Sequence, residues 1–185
     1  MNKVFFDLEW NTGFLDGNSF DEIIEIGAVK TDEEYRQIDG FRRLIRPVIY
    51  RKMNPYIQKI LAITMKDLQG EEPLASVAKA FFDWCGDCDT LIAWSGNDFG
   101  VLEKNLAHIG MKIPEQLGRY DVQMAYAYRT ENSIRNYALK TAVEAMELPE
   151  PEGQEYHDAY CDAQFTAAIG RALTERYGPL PTEEE

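Results

Sequence analysis

The chain has 185 residues, 45% of them hydrophobic and 28% charged, with 19 lysines and arginines against 32 acids for a formal net charge of −13. That length suits one domain with a sizeable core, and no apolar run approaches the ~18 residues that a membrane helix needs. So large an acidic excess argues against a protein that coats long nucleic acid without specificity.

The N-terminus, Met1-Asn2-Lys3, shows no pattern of basic head, apolar run and small-residue cleavage site, which predicts a cytoplasmic address. It leads into Val4-Phe5-Phe6-Asp7-Leu8-Glu9-Trp10, short, apolar and β-prone. Side chains alternate faces along a strand, so Asp7 and Glu9 point one way and Phe6 and Leu8 the other. Two acids aimed together either share a hard cation such as Mg²⁺ or are tolerated on a solvated face. Residues 11–19 read as a turn or short loop, 23–29 as a second strand and 40–46 as a third, closed by Pro47. Connections this short predict an antiparallel meander.

From Arg36 to Lys66 the chain carries eight basic residues and one acid, Asp39, a local balance of +7 within an acidic chain. Such a segment serves a polyanion or forms a solvated face. Within it Asn54-Pro55 starts a helix through Ile57, Ile60 and Leu61. A second helix follows Pro73, with Leu74, Val77, Ala78, Phe81, Phe82 and Trp84 as its core stripe. Cys85-Gly86-Asp87-Cys88 has the spacing of a redox pair or half a zinc site, but it ends this helix where a redox pair would open one. Only Cys161, His108 and His157 remain as further soft ligands, so buried or idle thiols are expected.

A strand at 90–94 and a Ser95-Gly96-Asn97 turn place Asp98 at the start of a helix carrying Val101, Leu102, Leu106 and Ile109 and stopping at Gly110. An acid in the first turn is favoured by the helix dipole whatever else it does. Residues 120–125 read as a short strand, 133–146 as a helix and 150–155 as an acidic linker. The last helix runs over 159–177, with Asp158 as its N-cap and His157 and Asp162 flanking its start; 178–185 form an acidic tail after a single domain, 1–177. The whole is α/β: a meander of strands 1–3 followed by strand–helix units, hence a mixed sheet flanked by helices. Strand ends and helix starts then converge on one crevice, within reach of both the first strand's acids and Asp98.

Three stretches taken together, Phe6-Asp7-Leu8-Glu9, Trp94-Ser95-Gly96-Asn97-Asp98-Phe99, and His157 with Asp162-Ala163, resemble the exonuclease motifs of the DEDDh, or DnaQ-like, 3′→5′ exonucleases of the RNase H-like fold. The resemblance runs over nearly the whole chain, from about Lys3 to Arg176, and Asn136-Tyr137-Ala138-Leu139-Lys140 resembles the family's helix before the third motif. The tyrosine subclass has Tyr four positions before the last Asp; here that position is Asp158, and only the histidine form fits. The resemblance implies an RNase H-like five-stranded mixed sheet and two Mg²⁺ or Mn²⁺ ions held by Asp7, Glu9, Asp98 and Asp162. It also implies His157 as general base, and release of 5′-nucleoside monophosphates from single-stranded RNA or DNA 3′ ends. The second motif is nearest in style to RNA-trimming members, which favours RNA. Trp10 and Phe14 are expected to stack on terminal bases, and Arg42 and Arg43 to meet the phosphate backbone; a homodimer fits the family's small members. The alternatives are a DNA proofreading-type exonuclease, a non-catalytic nucleic-acid-binding module of the same fold, and an acidic domain holding Ca²⁺. The last lacks an Asp-x-Asp-x-Asp-Gly loop.

Overall fold

A computed structural model describes residues 2–15, 17–149 and 157–179. The expected linker at 150–155 and the tail beyond Pro179 lie outside the described residues. Within them the elements run β1 (Lys3–Leu15), β2 (Asn18–Thr31), β3 (Gln37–Leu44), α1 (Pro55–Leu61), α2 (Met65–Leu68), α3 (Leu74–Cys85), β4 (Thr90–Ala93), α4 (Gly96–His108), β5 (Gly118–Asp121), α5 (Val122–Glu131), α6 (Leu139–Ala145) and α7 (Ala159–Tyr177).

The strands form one mixed sheet in the order β3-β2-β1-β4-β5. β1, β2 and β3 are antiparallel neighbours, as the short connections require, and β4 and β5 add parallel to β1. This is the five-stranded RNase H-like sheet that was expected. Period-two alternation sorts β1 between two cores. Val4, Phe6 and Leu8 pack with Phe81, Phe99 and Leu102 of α3 and α4, while Phe5 packs on the opposite face with Phe165, Ile169 and Leu173 of α7 and with α5 and α6. Asp7 and Glu9 share the face of Phe5 and therefore look toward α7. A third cluster joins Ile24 and Leu44 to Met53, Ile57, Leu61 and Leu68. Leu44 is the strand partner of Glu25, itself the partner of Glu9, so α1 and α2 cover that same face beyond the acids.

Local signals account for several ends. Asn54 caps α1 by accepting from the Tyr56 N–H at 2.9 Å, Asp158 caps α7, and Gly110 ends the α4 segment at a φ of 71°. Other expectations are corrected. Residues 11–15 and 18–19 are strand and not loop: β1 and β2 stay paired as far as Leu15 and Asn18, and the turn-prone Asn11 is buried, bonding Lys52 O and Asn54 N at 3.1 and 2.7 Å. The strand expected at 120–125 stops at Asp121, whose carboxylate takes the Met124 N–H at 3.0 Å and starts α5. The helix expected over 133–146 is confined to α6, because α5 ends on Asn132 in the left-handed conformation and 133–138 are irregular.

Candidate active site

The acids of β1 meet the two helix starts where the parallel strands end. Between Glu9 and Trp10 the β1–β2 register shifts by one residue, with Ile24 as the extra residue. The bulge turns Ile24 into the α1–α2 cluster and leaves Glu9 opposite Glu25 as the last pair before the register shift. Parallel pairing of β1 with β4 covers only Lys3 to Phe5. Beyond it the strands part, and the Leu8 N–H turns to the Asp98 carboxylate. Asp98 lies in the first turn of α4, nearly fully buried, and accepts from the Ser95 hydroxyl at 3.2 Å.

Helix α7 closes the site from the opposite side. Gly27 is the partner of Asp7 on β2, and the first turn of α7 lies directly over it: a Cβ there would stand 2.1 Å from the Tyr160 nitrogen and 2.2 Å from the Ala159 carbonyl carbon. Only a residue without a side chain lets the helix approach so far. One turn on, Asp162 faces the acids, and Glu9, His157 and Asp162 offer ligand atoms that all lie within 4.8 Å of one another. The His157 N–H donates to Asp162 Oδ2 at 3.3 Å. His157 itself is exposed and has a φ of 70°, a left-handed conformation that costs a non-glycine residue roughly 1–2 kcal/mol.

Crowded carboxylates resist ionising together. The Asp7 carboxyl is held well above the usual carboxylate range by burial first, then by the charges of Asp98, Asp162 and Glu9. Burial, reinforced by Asp162 and Glu25, pushes Glu9 up to about 8. Burial raises Asp162 to about 7 against the opposing hydrogen bond from His157. Asp98 is raised to about 6, again by burial, with its hydrogen bonds pulling the other way. Asp162 Oδ1 is buried and has no hydrogen-bond partner. An orphaned carboxylate oxygen, four acids that repel one another and an imidazole beside them fit a divalent cation, and a donor set this rich in oxygen suits Mg²⁺ or Mn²⁺.

The structure thus brings together all five residues expected from the motifs. Of the expected substrate contacts, Phe14 is 79% exposed near the end of β1, whereas Trp10 is half-buried against the α3–α4 core. Arg42 bonds Glu25 and Asp158. Arg43 shares the face of Phe41, over whose ring it lies at 5.4 Å, and so points away from Asp7 and Glu9. Ser95, Gly27 and Glu25 were not singled out in the sequence, although an acid and a glycine inside an otherwise apolar strand were signals available there. Cys85, Cys88 and Cys161 are buried free thiols; burial raises Cys85 to about 12 and Cys161 to about 11, which leaves them inert. No described helix is long and apolar enough to cross a membrane.

The RNase_T family model, described as Exonuclease, matches residues 4–169. The chain is 29% identical over 169 residues to a PolC-type DNA polymerase III of Clostridium perfringens, a match that takes in 90% of this chain but only 11% of that protein. Cell-death related nuclease 4 superposes with a TM-score of 0.82 at 14% identity over 95% of this chain and 64% of the other. The nuclease domain of 3′hExo, a DEDDh family member bound to rAMP, gives 0.80 at 17% identity, covering 100% of this chain and 96% of that one.

Proposed function

The chain belongs to the exonuclease family whose model covers residues 4–169, and we propose that within it this protein is a metal-dependent 3′→5′ exonuclease. On this reading it acts on single-stranded nucleic acid, RNA in preference to DNA, and releases 5′-nucleoside monophosphates. The observation that carries the reading is the convergence of Glu9, His157 and Asp162 within 4.8 Å, beside the repelling carboxyls of Asp7 and Asp98.

Asp7, Glu9, Asp98 and Asp162 would hold two divalent ions. Such ions, when bound, supply a more acidic water and offset the negative charge that builds on the phosphoryl and leaving oxygens. The protein's own groups do the rest. Asp7 sits between the other acids, which suits it to a shared ligand position. Ser95 and the Leu8 N–H fix the Asp98 carboxylate, and Asp158 and Gly27 fix the start of α7 and with it Asp162. His157, exposed at the lip and next to Glu9 and Asp162, takes the proton of the attacking water on an imidazole nitrogen. Phe14 offers an exposed ring to a terminal base, a contact worth roughly 1–3 kcal/mol and indifferent to sequence. Trp10 is proposed as its lesser partner.

The preference for RNA draws support from the style of the second motif, Trp94 to Asp98, and from the similar 3′hExo nuclease domain, whose bound nucleotide is rAMP. A DNA proofreading-type exonuclease is the second reading, favoured by the PolC-type relative. Rates on RNA and DNA of one sequence and length distinguish the two. A larger kcat/KM on RNA supports the first reading, and a larger value on DNA supports the second. Internal cleavage products from either polymer would contradict both.

A further inference from the structure

Two further acids, neither of them among the proposed metal ligands, stand beside the cluster. Glu25 is the strand partner of Glu9, with a side chain 1% exposed. Asp158 caps α7, its Oδ1 taking the Cys161 N–H at 3.1 Å, and its carbonyl accepts the Asp162 N–H at 2.9 Å. Both acids lean on one guanidinium. Arg42 Nε lies 2.8 Å from Glu25 Oε1, and Arg42 Nη2 lies 2.5 Å from Asp158 Oδ2. Across the sheet, Asp7, Gly27 and Arg42 form one row over β1, β2 and β3. The acid is at one end of this row, the seat of α7 in the middle and the arginine at the other end.

We propose that Arg42 is a positioning residue for the metal site, clamping the start of α7 to the sheet so that Asp162 and His157 face Asp7 and Glu9. The inference rests on the metal-dependent reading of the site. The chain of contacts is short: Arg42 holds Asp158, and Asp158 is hydrogen-bonded to the backbone of Asp162 itself. The same guanidinium offsets Glu25, which would otherwise be a buried acid with no cation against Glu9. Arginine suits the position because its rigid fork reaches two carboxylates at once, where lysine offers a single point charge. The other arginines of this segment that the contacts place bond elsewhere: Arg36 to Asp32 and Glu34, Arg43 to the Arg42 carbonyl, and Arg46 to the Glu71 carbonyl. Outer groups that orient metal ligands typically carry 10–100-fold in metal affinity or activity.

Mn²⁺ titration by calorimetry on the full chain tests the clamp, alongside melting curves and oligonucleotide kinetics. The variants are Arg42→Met, Arg42→Lys, and Arg42→Met combined with Glu25→Gln. Arg42→Met is expected to weaken Mn²⁺ binding by roughly 10–100-fold, with KM for the oligonucleotide unchanged at saturating metal, and Arg42→Lys to recover only part of the affinity. The double variant removes the stranded acid, so it should recover the melting temperature without recovering Mn²⁺ affinity. Unchanged Mn²⁺ affinity with a raised KM would overturn the proposal and make Arg42 a phosphate contact. Lowered melting with unchanged Mn²⁺ affinity would overturn it in favour of a purely structural pair, and so would a wild-type chain that binds no Mn²⁺. A wild-type chain that binds Mn²⁺ but cleaves neither polymer would remove the proposed reaction and leave the calorimetric test of Arg42 intact.

Discussion

A Cβ on Gly27 would stand 2.1 Å from the backbone nitrogen of Tyr160, and Gly27 is the strand partner of Asp7. The closeness of α7 to β2, and hence of Asp162 to the acids of β1, depends on that missing atom. Gly27→Ala must push the helix start away. Overpacking of this kind typically costs about 1–3 kcal/mol, and a displacement near 1 Å at a catalytic group can cost about 10²-fold in rate. A lowered melting temperature with a kcat reduced by about that factor is expected. Wild-type kinetics in Gly27→Ala would show that α7 need not sit so close.

The four acids set the response to pH in the absence of metal. Glu9, Asp162 and Asp98 are raised to about 8, 7 and 6, and Asp7 is raised well above its usual range. A raised carboxyl makes the folded state bind more protons than the unfolded one between its unfolded and folded values, so stability falls as pH rises through that window. In chelator the melting temperature should therefore drop from about pH 5 to pH 8. Mg²⁺ or Mn²⁺, which binds the ionised carboxylates, should raise it most at the upper end. Asp7→Asn removes one of the repelling charges. It should melt higher than wild type in chelator, by a few degrees if about 1 kcal/mol moves a chain of this size by 2–4 °C, and show a smaller metal-induced shift. Melting curves at several pH values check both signs.

His157 lies within ligand distance of Glu9 and Asp162, so its role as base is separable from a role as ligand. As base, His157→Ala should lower kcat by about 10²–10⁴ with Mn²⁺ affinity nearly unchanged. As ligand, it should weaken Mn²⁺ binding and recover much of its rate at high metal. Rate against Mn²⁺ concentration decides between them.

The loop between β3 and α1 carries exposed Arg51 and Lys52 and is tied to β1 through Asn11. Reversing both charges, Arg51→Glu with Lys52→Glu, should raise KM and leave kcat at saturation. If both meet phosphates of a single strand, the slope of log affinity against log salt should fall by about 1.4. An unchanged slope would make this loop a solvated face.

The parts of the site that were legible in the sequence are those fixed by local periodicity. Alternation put Asp7 and Glu9 on one face, turn chemistry put Asp98 in a first helical turn, and the cap at Asp158 fixed the start of α7. What was not legible depends on contacts distant in sequence. The ion pair of Arg42 with Asp158 spans 116 positions, and the close approach of α7 to Gly27 spans more than 130; no local pattern encodes either. Helix α5 escaped for a related reason. Its polar and apolar residues are weakly segregated, it is positioned by packing of Val122 and Tyr126 against α7, and Asp121 was read as strand when its carboxylate caps both Gly96 and Met124.

Metal-dependent trimming from the 3′ end is checked by following 5′-labelled single-stranded RNA and DNA oligomers with Mg²⁺ or Mn²⁺, beside the Asp7→Ala variant. A ladder that shortens by single nucleotides from the 3′ end, dependent on metal and absent from Asp7→Ala, is the predicted result. Intact oligomers under every metal condition, or a ladder that persists unchanged in Asp7→Ala, would contradict it.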